Sequence, residues 1–403
     1  MSVLAGKKVL LGVTAGIAAY KSAMLVRLLI KQGAEVRVVM TPSAREFVTP
    51  LTLSTLSKNE VLSSFTDEED ENARWNNHVE LGLWADLFVI APATANSLSK
   101  MAHGGSDNLL VATYLSAKCP VYVAPAMDLD MYAHPSTAKT FKILEGYGNK
   151  IIPAAHGELA SGLVGKGRMA EPEDIVSFIQ KDLQEQLPLK GKTVLITAGP
   201  TYEPIDPVRF IGNHSSGKMG YALANKAFEL GARVILVSGP THLHPRYEGI
   251  QKVSVHTALE MYQAVQNHFD SCQVAILSAA VADYRPSQVA DQKIKKKDSN
   301  LSLTLEKTQD ILASIGTRKQ DQYLVGFALE TENELENAKS KLQKKNLDLI
   351  VLNSLNDKGA GFGGDTNKVT LLTKDNKTLP FEVKSKDEVA ADIFTQILSD
   401  IHA

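Results

Sequence analysis

The chain opens the same way twice. "GKKVLLGVTAGIAAYKSAMLVRLLIKQGAEVRVVMTPSA" begins at Gly6, and a similar series begins again with "GKTVLITAGPT" at Gly191 and reaches "ELGARVILVSGPT" around Gly231. In each, an apolar run leads into a small-residue turn, a stretch of helical period and a second apolar run, which is the pattern of a βαβ unit. Parallel pairing of the two strands demands a right-handed crossover. The chain of 403 residues is too long for one ordinary core and suits two domains of roughly 200 residues each.

In the first half "KVLLGV" reads as a buried parallel strand. Met24, Leu25, Leu28 and Leu29 follow at helical spacing until Gly33, and "EVRVVM" is the next strand. "DLFVIAPAT" and "CPVYVAPAM" extend the sheet, each ending in a Pro-containing loop. The second half offers "VAILSAAV", "YLVGFAL", "LDLIVLN" and "VTLLT" as strands and a closing helix near Lys386 to Ser399. A Pro-containing linker near Gln186 to Lys190 sets the domains at 1–189 and 190–403. Gly6 to Gly33 spans 27 positions and Gly191 to Gly231 spans 40. The difference lies in "PTYEPIDPVRFIGNHSSGK", which is too polar and Pro-rich for core. Extra loop at the ligand end of a sheet points to substrate binding.

A net charge of −2 gives no general reason to expect nucleic acid or an anionic membrane as partner, since both need a dense positive surface. Cys119 and Cys272 form no CxxC motif, and a chain this large needs no disulfide. Lys7 and Lys8 before an apolar run have the outline of a signal peptide, but Gly12 and Gly16 interrupt the run and it continues into an amphipathic helix. With no apolar run of membrane-spanning length, the cytoplasm is the expected location.

"GVTAGIAAYK" lacks the spacing of GxGxxG. Its small residues still allow backbone N–H groups to approach a phosphate, so a phosphate-bearing cofactor and a merely tight turn are both open. "GNHSSGKM" matches the first seven positions of a P-loop, but Met219 stands where the magnesium-binding hydroxyl belongs, which excludes an ordinary P-loop ATPase. Asn213, Ser215, Ser216, Gly217 and Lys218 before a helix nevertheless suit an anion. "KIKKK", Lys293 to Lys297, is either a solvated charged face or a loop that brings lysines over a triphosphate. "NDKGAGFGGDTNK" is a lid or a long turn. His78 alone carries no role by spacing, and "PAMDLDMY" leaves an acid pair, a metal site and a plain turn open.

Taken in order, "GVTAGIAAYK", "NNHVELGLWADL", "APATAN", "GKGRMAEP", "ITAGPTYEPIDPVRFI", "NHSSGKMG", "AAVADYRP", "KIKK" and "LVGFALET" resemble the bifunctional flavoprotein family of coenzyme A biosynthesis. That family fuses phosphopantothenoylcysteine decarboxylase to phosphopantothenate–cysteine ligase. The resemblance implies a flavodoxin-like FMN domain followed by a Rossmann-like ligase domain that uses CTP and Mg²⁺. It further implies trimers of the first domain joined through dimers of the second, a dodecamer. FMN would lie near Gly16, Ile17 and Ala18, with Thr41, Ser43, Thr94 and Asn96 around it and the segment Ser106 to Leu110, including Asp107, reaching flavin across a subunit boundary.

His78 matches the family's acid/base histidine. Flavin oxidation of the substrate thiol supplies an electron sink for loss of CO₂, and reduced flavin then returns the product to the saturated thiol. In the ligase, 4′-phosphopantothenate and CTP give an acyl-cytidylate, from which cysteine's amine displaces CMP. Lys293 matches the catalytic lysine and Asn213 the residue associated with the acyl-cytidylate. Asp283, Lys307, Phe327, Lys341 and Lys345 fall at the CTP site, and Arg209 and Met127 are candidates for substrate binding.

Two positions depart from the pattern. "PAMDLDMY" resembles PxMNxxMW, whose asparagine contacts the substrate carboxylate, but here the position is Asp128 and Tyr132 replaces Trp. A charged aspartate repels a carboxylate, so either Asp128 is protonated in the closed site or the substrate sits differently. In "ELASGLVGKGRM", Ser161 stands where many relatives have a flap cysteine. Ala15 for the commoner glycine and "KTQDI" for KNPDI are milder changes. A flavin-binding interaction protein with only the ligase half active is the competing class. A nicotinamide dehydrogenase is disfavoured by the missing GxGxxG.

Overall fold

The computed structural model describes residues 2–66, 75–159, 161–295, 301–330, 332–354 and 364–402. Lys296, Lys297, Ala160 and most of the Gly-rich segment after Asn356 lie outside the described residues. The chain divides into two compact units, Met1–Glu185 and Gln186–Ala403.

In the first unit six parallel strands form one sheet: β1 (Lys8–Val13), β2 (Glu35–Met40), β3 (Val61–Leu62), β4 (Leu87–Ala93), β5 (Val121–Pro125) and β6 (Lys150–Ile151). Their order is β3-β2-β1-β4-β5-β6. The order reverses between β1 and β4, so the loops leaving these two strands diverge and open a crevice. Apolar runs explain the central strands, for β4 is buried along its whole length and β1 is buried after Lys8. The helix Lys21–Lys31 packs Leu25, Val26 and Leu29 inward, whereas Met24 of the sequence-derived stripe is exposed. Pro92 and Pro125, expected in loops, lie in the strands, and the β4–β5 register shifts between Ile90 and Ala93, where proline offers no ladder donor. An antiparallel hairpin, β7 (Ala155–Glu158) with β8 (Val164–Arg168), stands apart from the sheet.

The second unit has an eight-stranded sheet in the order Gln251–Ser254, Arg233–Ser238, Thr193–Ala198, Val274–Leu277, Tyr323–Glu330, Leu349–Ser354, Val369–Thr373, Thr378–Pro380. The first six are parallel and the last two antiparallel. The switch point falls between Thr193–Ala198 and Val274–Leu277. The closing helix Lys386–Ile401 begins with a capping box between Ser385 and Glu388 and buries Val389, Ile393, Phe394 and Ile397.

The Pro-rich insert, expected as extra loop outside the core, is organised by a strand pair of its own and buries two of its carboxylates. Tyr202–Pro204 pairs with Phe210–Gly212, Tyr202 stacks on Phe210 at 3.9 Å between ring centroids, and Glu203 and Asp206 are buried. Polar composition hid this, because the buried carboxylates are satisfied by donors that sequence does not show: Glu203 accepts from the Ala258 N–H at 2.8 Å, and Asp206 accepts from several donors described below.

Candidate functional site

Each unit carries its cavities at the carboxyl ends of its strands. In the first, Thr14, just past β1, donates to the Pro92 carbonyl at 2.8 Å, and its hydroxyl accepts from the Thr94 N–H at 3.1 Å. These bonds fix the two chain ends that border the crevice. A cavity of about 520 Å³ opens there, lined by Ala15, Thr41, Ser43, Thr94, Asn96, Lys100, Asp107, Met127 and neighbours. The Thr41 hydroxyl oxygen is buried and has no hydrogen-bond partner. A buried hydroxyl without a protein partner in the wall of a cavity of hydroxyl and amide groups fits a polar ligand such as a ribityl chain.

Ala126 and Met127 are shared with a second cavity of about 580 Å³, lined by Gly16, Ile17, Ala18, Tyr20, Lys21, Asp128, Glu158, Leu159, Gly167, Arg168 and Met169. The turn at Ile17–Tyr20 leaves its first N–H groups without intrahelical partners. The hairpin β7–β8 closes the far wall. Met127 N–H donates to the Gly167 carbonyl at 3.0 Å, and Gly167 has φ +143, with a Cβ there falling 2.4 Å from the Met127 carbonyl oxygen. Only glycine lets strand and loop come this close.

Of the residues expected around the flavin or its substrate, Thr41, Ser43, Thr94, Asn96 and Asp107 share the first cavity, and Gly16, Ile17, Ala18 and Asp128 the second, with Met127 in both. Three residues line neither cavity. Ser106 is exposed, and Ser161 is exposed on the loop joining β7 to β8. His78 begins the helix His78–Trp84, meets Phe65 edge-on at 6.0 Å, and has a buried Nδ1 without a partner.

In the second unit a cavity of about 470 Å³ is lined by Thr197, Asp283, Lys307, Thr308, Asp310, Phe327, Lys341, Lys345 and neighbours. The sequence-derived nucleotide residues Asp283, Lys307, Phe327, Lys341 and Lys345 all meet there. Lys341 Nζ donates to the Phe327 carbonyl at 2.7 Å, and Lys345 pairs with Asp310 at 2.7 Å. Burial works to raise the Asp310 carboxyl, but the Lys345 ammonium and the Ala313 N–H outweigh it and hold the group below its ordinary value.

Phe327 and Ala279 also border a smaller cavity of about 160 Å³, lined by Ser215, Ser216, Gly217, Lys218, Asn353, Asn367 and Lys386 among others. Burial, with Lys218 close by, lowers the Lys386 ammonium below the usual lysine range, against the opposing pull of Asp365. Sequence reasoning missed Asn353 and Lys386, which a strand end and a helix start bring in with nothing in their spacing to mark them. Asp310 lies in "KTQDI", three residues after Lys307, and caps the helix Ile311–Arg318.

Asn213 and Arg209 line neither cavity, and neither does Lys293. Asn213 Nδ2 donates to the carbonyls of Ala280 at 3.0 Å and Val281 at 3.3 Å, which holds its loop beside residues that do line the cavities. Arg209, expected at substrate, instead grips Asp206 with Nε at 2.9 Å and also with its terminal nitrogen. It reaches on to the Ile294 carbonyl at 2.9 Å. Asp206 also accepts from the N–H groups of Val208 at 2.8 Å, Arg209 at 2.9 Å and Ile294 at 3.1 Å. The guanidinium and then these N–H groups hold the buried Asp206 carboxyl well below the usual carboxylate range. The result is a clamp on the root of the lysine loop, one residue from Lys293.

Two doubly wound sheets, one with a hydroxyl-lined cleft and the other with a lysine-lined one, define a two-domain α/β protein with two ligand sites. Residues 2–184 match the family model described as Flavoprotein, and residues 189–401 match that of the DNA/pantothenate metabolism flavoprotein C-terminal domain. Among curated relatives, a cysteine/cysteine sulfinic acid decarboxylase from an unknown prokaryotic organism is 55% identical over 360 residues, 88% of this chain and 100% of that protein. The coenzyme A biosynthesis bifunctional protein CoaBC of Bacillus subtilis (strain 168) is 46% identical over 397 residues, 98% of this chain and 97% of that one. Its Escherichia coli (strain K12) counterpart is 44% identical over 386 residues, 94% of each chain. The chain belongs to the family of bifunctional coenzyme A biosynthesis flavoproteins.

Proposed function

We propose that this protein carries out two consecutive steps of coenzyme A biosynthesis. The second unit joins cysteine to 4′-phosphopantothenate through an acyl-cytidylate formed from CTP, and the first unit decarboxylates the resulting phosphopantothenoylcysteine to 4′-phosphopantetheine. The observation that carries the proposal is the pairing of two cavities of different chemistry, one rich in hydroxyls and amides and the other in lysines, each at the switch point of its own sheet, in one chain.

In the first unit the Ile17–Tyr20 turn and the Thr41, Ser43, Thr94 and Asn96 side chains would hold FMN, with the unpaired Thr41 hydroxyl supplying a bond to it. Bound FMN supplies a reversible electron sink for loss of CO₂. Met127 and Asp128 present the substrate, and the hairpin β7–β8 covers it. His78, outside both cavities of the single chain, would act as acid/base across a subunit boundary in a homo-oligomer.

In the second unit Lys307, Lys341 and Lys345 offset the negative charge of CTP, Asp283 and Phe327 contact the nucleoside, and Lys293 stabilises the charge that develops at the α-phosphorus. Among the described residues no cluster of three His, Cys, Asp or Glu side chains could hold a metal, so Mg²⁺ would enter with the triphosphate. No helix among them is long and apolar enough to cross a membrane.

The two halves are tested separately. Yellow protein given phosphopantothenoylcysteine alone should release CO₂. Given 4′-phosphopantothenate, cysteine, CTP and Mg²⁺ it should form CMP. Ligation with flavin bound but no CO₂ released would instead favour the interaction-protein reading of the first half.

A second reading of the first unit, decarboxylation of free cysteine, is favoured by the 55%-identical relative together with Asp128 in the position of the motif asparagine. Release of CO₂ from cysteine in the absence of CTP and 4′-phosphopantothenate tests it.

A further inference from the structure

Asp128 is the N-cap residue of the helix Leu129–Ala133, yet its side chain makes no capping bond. Among the described residues its carboxylate has no hydrogen-bond or ion-pair partner. The half-buried group faces the cavity shared by Lys21, Glu158 and Arg168. Both cations of that cavity are already engaged, Lys21 with Glu171 at 2.9 Å and Arg168 with the same carboxylate at 2.8 Å. Lys21 donates to the Met169 carbonyl as well, at 3.1 Å. The charged groups left without a protein partner there are therefore two carboxylates, Asp128 and the more exposed Glu158. A half-withdrawn carboxylate in a cavity whose cations are committed elsewhere calls for a ligand that brings its own positive charge.

We infer that Asp128 pairs with the substrate's α-nitrogen rather than its carboxylate, so that the first unit accepts free α-amino thiols, cysteine foremost, alongside N-acylated ones. The inference rests on the decarboxylase reading of that unit. An amide N–H and an α-ammonium can both donate to Asp128, but only the ammonium adds a charge, and the bond it makes is the stronger. Turning the nitrogen toward Asp128 also keeps the substrate's carboxylate away from a like charge, which answers the puzzle posed by an aspartate in the asparagine position. The loop cannot yield, because Met127 is bonded to Gly167 and the Gly167 backbone packs on the Met127 carbonyl. In the reaction the Cα–carboxylate bond breaks, CO₂ leaves, and a proton takes its place. Cysteine becomes cysteamine with no net redox change, because the flavin ends in its starting oxidation state.

The test compares CO₂ release by the flavin-loaded full chain from L-cysteine and from phosphopantothenoylcysteine, for the natural protein, Asp128→Asn and Asp128→Glu. The natural protein should use both. Asp128→Asn should shift the ratio of kcat/KM by about tenfold toward the acylated substrate, the loss of one charge-assisted bond, while Asp128→Glu should keep most of the original ratio. A binding measurement without turnover runs in parallel: by perturbation of flavin absorption, Asp128→Asn should weaken cysteamine relative to N-acetylcysteamine by a similar factor. A ratio unchanged in both measurements overturns the assignment to Asp128. CO₂ from the acylated substrate but none from cysteine overturns the inference and leaves the decarboxylase reading standing. CO₂ from neither overturns that reading itself.

Discussion

The two main cavities occupy equivalent places in two similar sheets and are built differently. The first is walled mainly by hydroxyls and amides with one lysine–carboxylate pair, Lys100 with Asp107, and its Thr41 hydroxyl has no protein partner. The second is walled by lysines already tied down, Lys345 to Asp310 and Lys341 to the Phe327 carbonyl. Groups left unsatisfied by the protein suit a ligand that stays, as a bound flavin would. Cations held in reserve by a carboxylate and a carbonyl suit a triphosphate that must arrive and leave. A doubly wound sheet fixes where a ligand binds, and the loops beyond it decide which ligand.

The largest expected break in this comparison comes from Lys293→Gln. CMP formation should fall by about a hundredfold or more, as for removal of a transition-state charge, while CO₂ release from supplied phosphopantothenoylcysteine should stay at the level of the natural protein. Equal loss in both assays would contradict the division of labour.

Gly167→Ala attacks the first half in the same way. Its φ of +143 and the 2.4 Å approach to the Met127 carbonyl leave no room for a methyl group, and about 1–3 kcal/mol of strain should follow. Thermal unfolding should show a less stable flavin unit, and decarboxylation should drop while ligation persists. An unchanged unfolding curve would mean that hairpin and loop are not locked together.

The clamp at Asp206 sharpens the second half. Asp206→Asn should slow CMP formation by about tenfold through misplacement of the lysine loop, and in a Lys293→Gln background it should add little. Additive losses would reduce Asp206 to a purely structural group. The sign of its pH dependence is fixed by the lowered native pKa. The stability Asp206 contributes is fully present above its unfolded value of about 3.9 and is lost as pH falls through the lower native value. The stability gap between the natural chain and Asp206→Asn, followed by denaturant unfolding, should therefore be flat at neutral and mildly acidic pH and narrow only in strong acid.

Smallest is Thr41→Val. The hydroxyl has no protein partner to lose, so folding should be unaffected, but flavin should bind about fivefold more weakly, the worth of one neutral hydrogen bond. Lower stability of the flavin-free protein with unchanged flavin affinity would mean the hydroxyl faces something else.

Much of the fold was legible because buried parallel strands are long apolar runs, and "KVLLGV", "EVRVVM" and "YLVGFAL" each became the strand expected. Gln251–Ser254 was not legible, since an edge strand of "QKVS" carries no such run. The insert after Gly199 misled for a different reason: buried Glu203 and Asp206 look like surface until their backbone donors are seen. In the candidate site, Thr41 and Thr94 were legible through the family resemblance, and both lie just past strand ends, where ligands meet a doubly wound sheet. Lys386 was not legible, because helix packing, and not local sequence, delivers it. Arg209 was named as a candidate for substrate binding, and its bonds to Asp206 and the Ile294 carbonyl were not legible.

The most direct measurement is a single incubation of the full chain with 4′-phosphopantothenate, cysteine, CTP and Mg²⁺, followed by mass spectrometry with and without CTP. Formation of 4′-phosphopantetheine together with CMP, and loss of both when CTP is omitted, is the expected result. A folded, flavin-loaded protein that leaves CTP unconsumed and makes no 4′-phosphopantetheine would contradict the account.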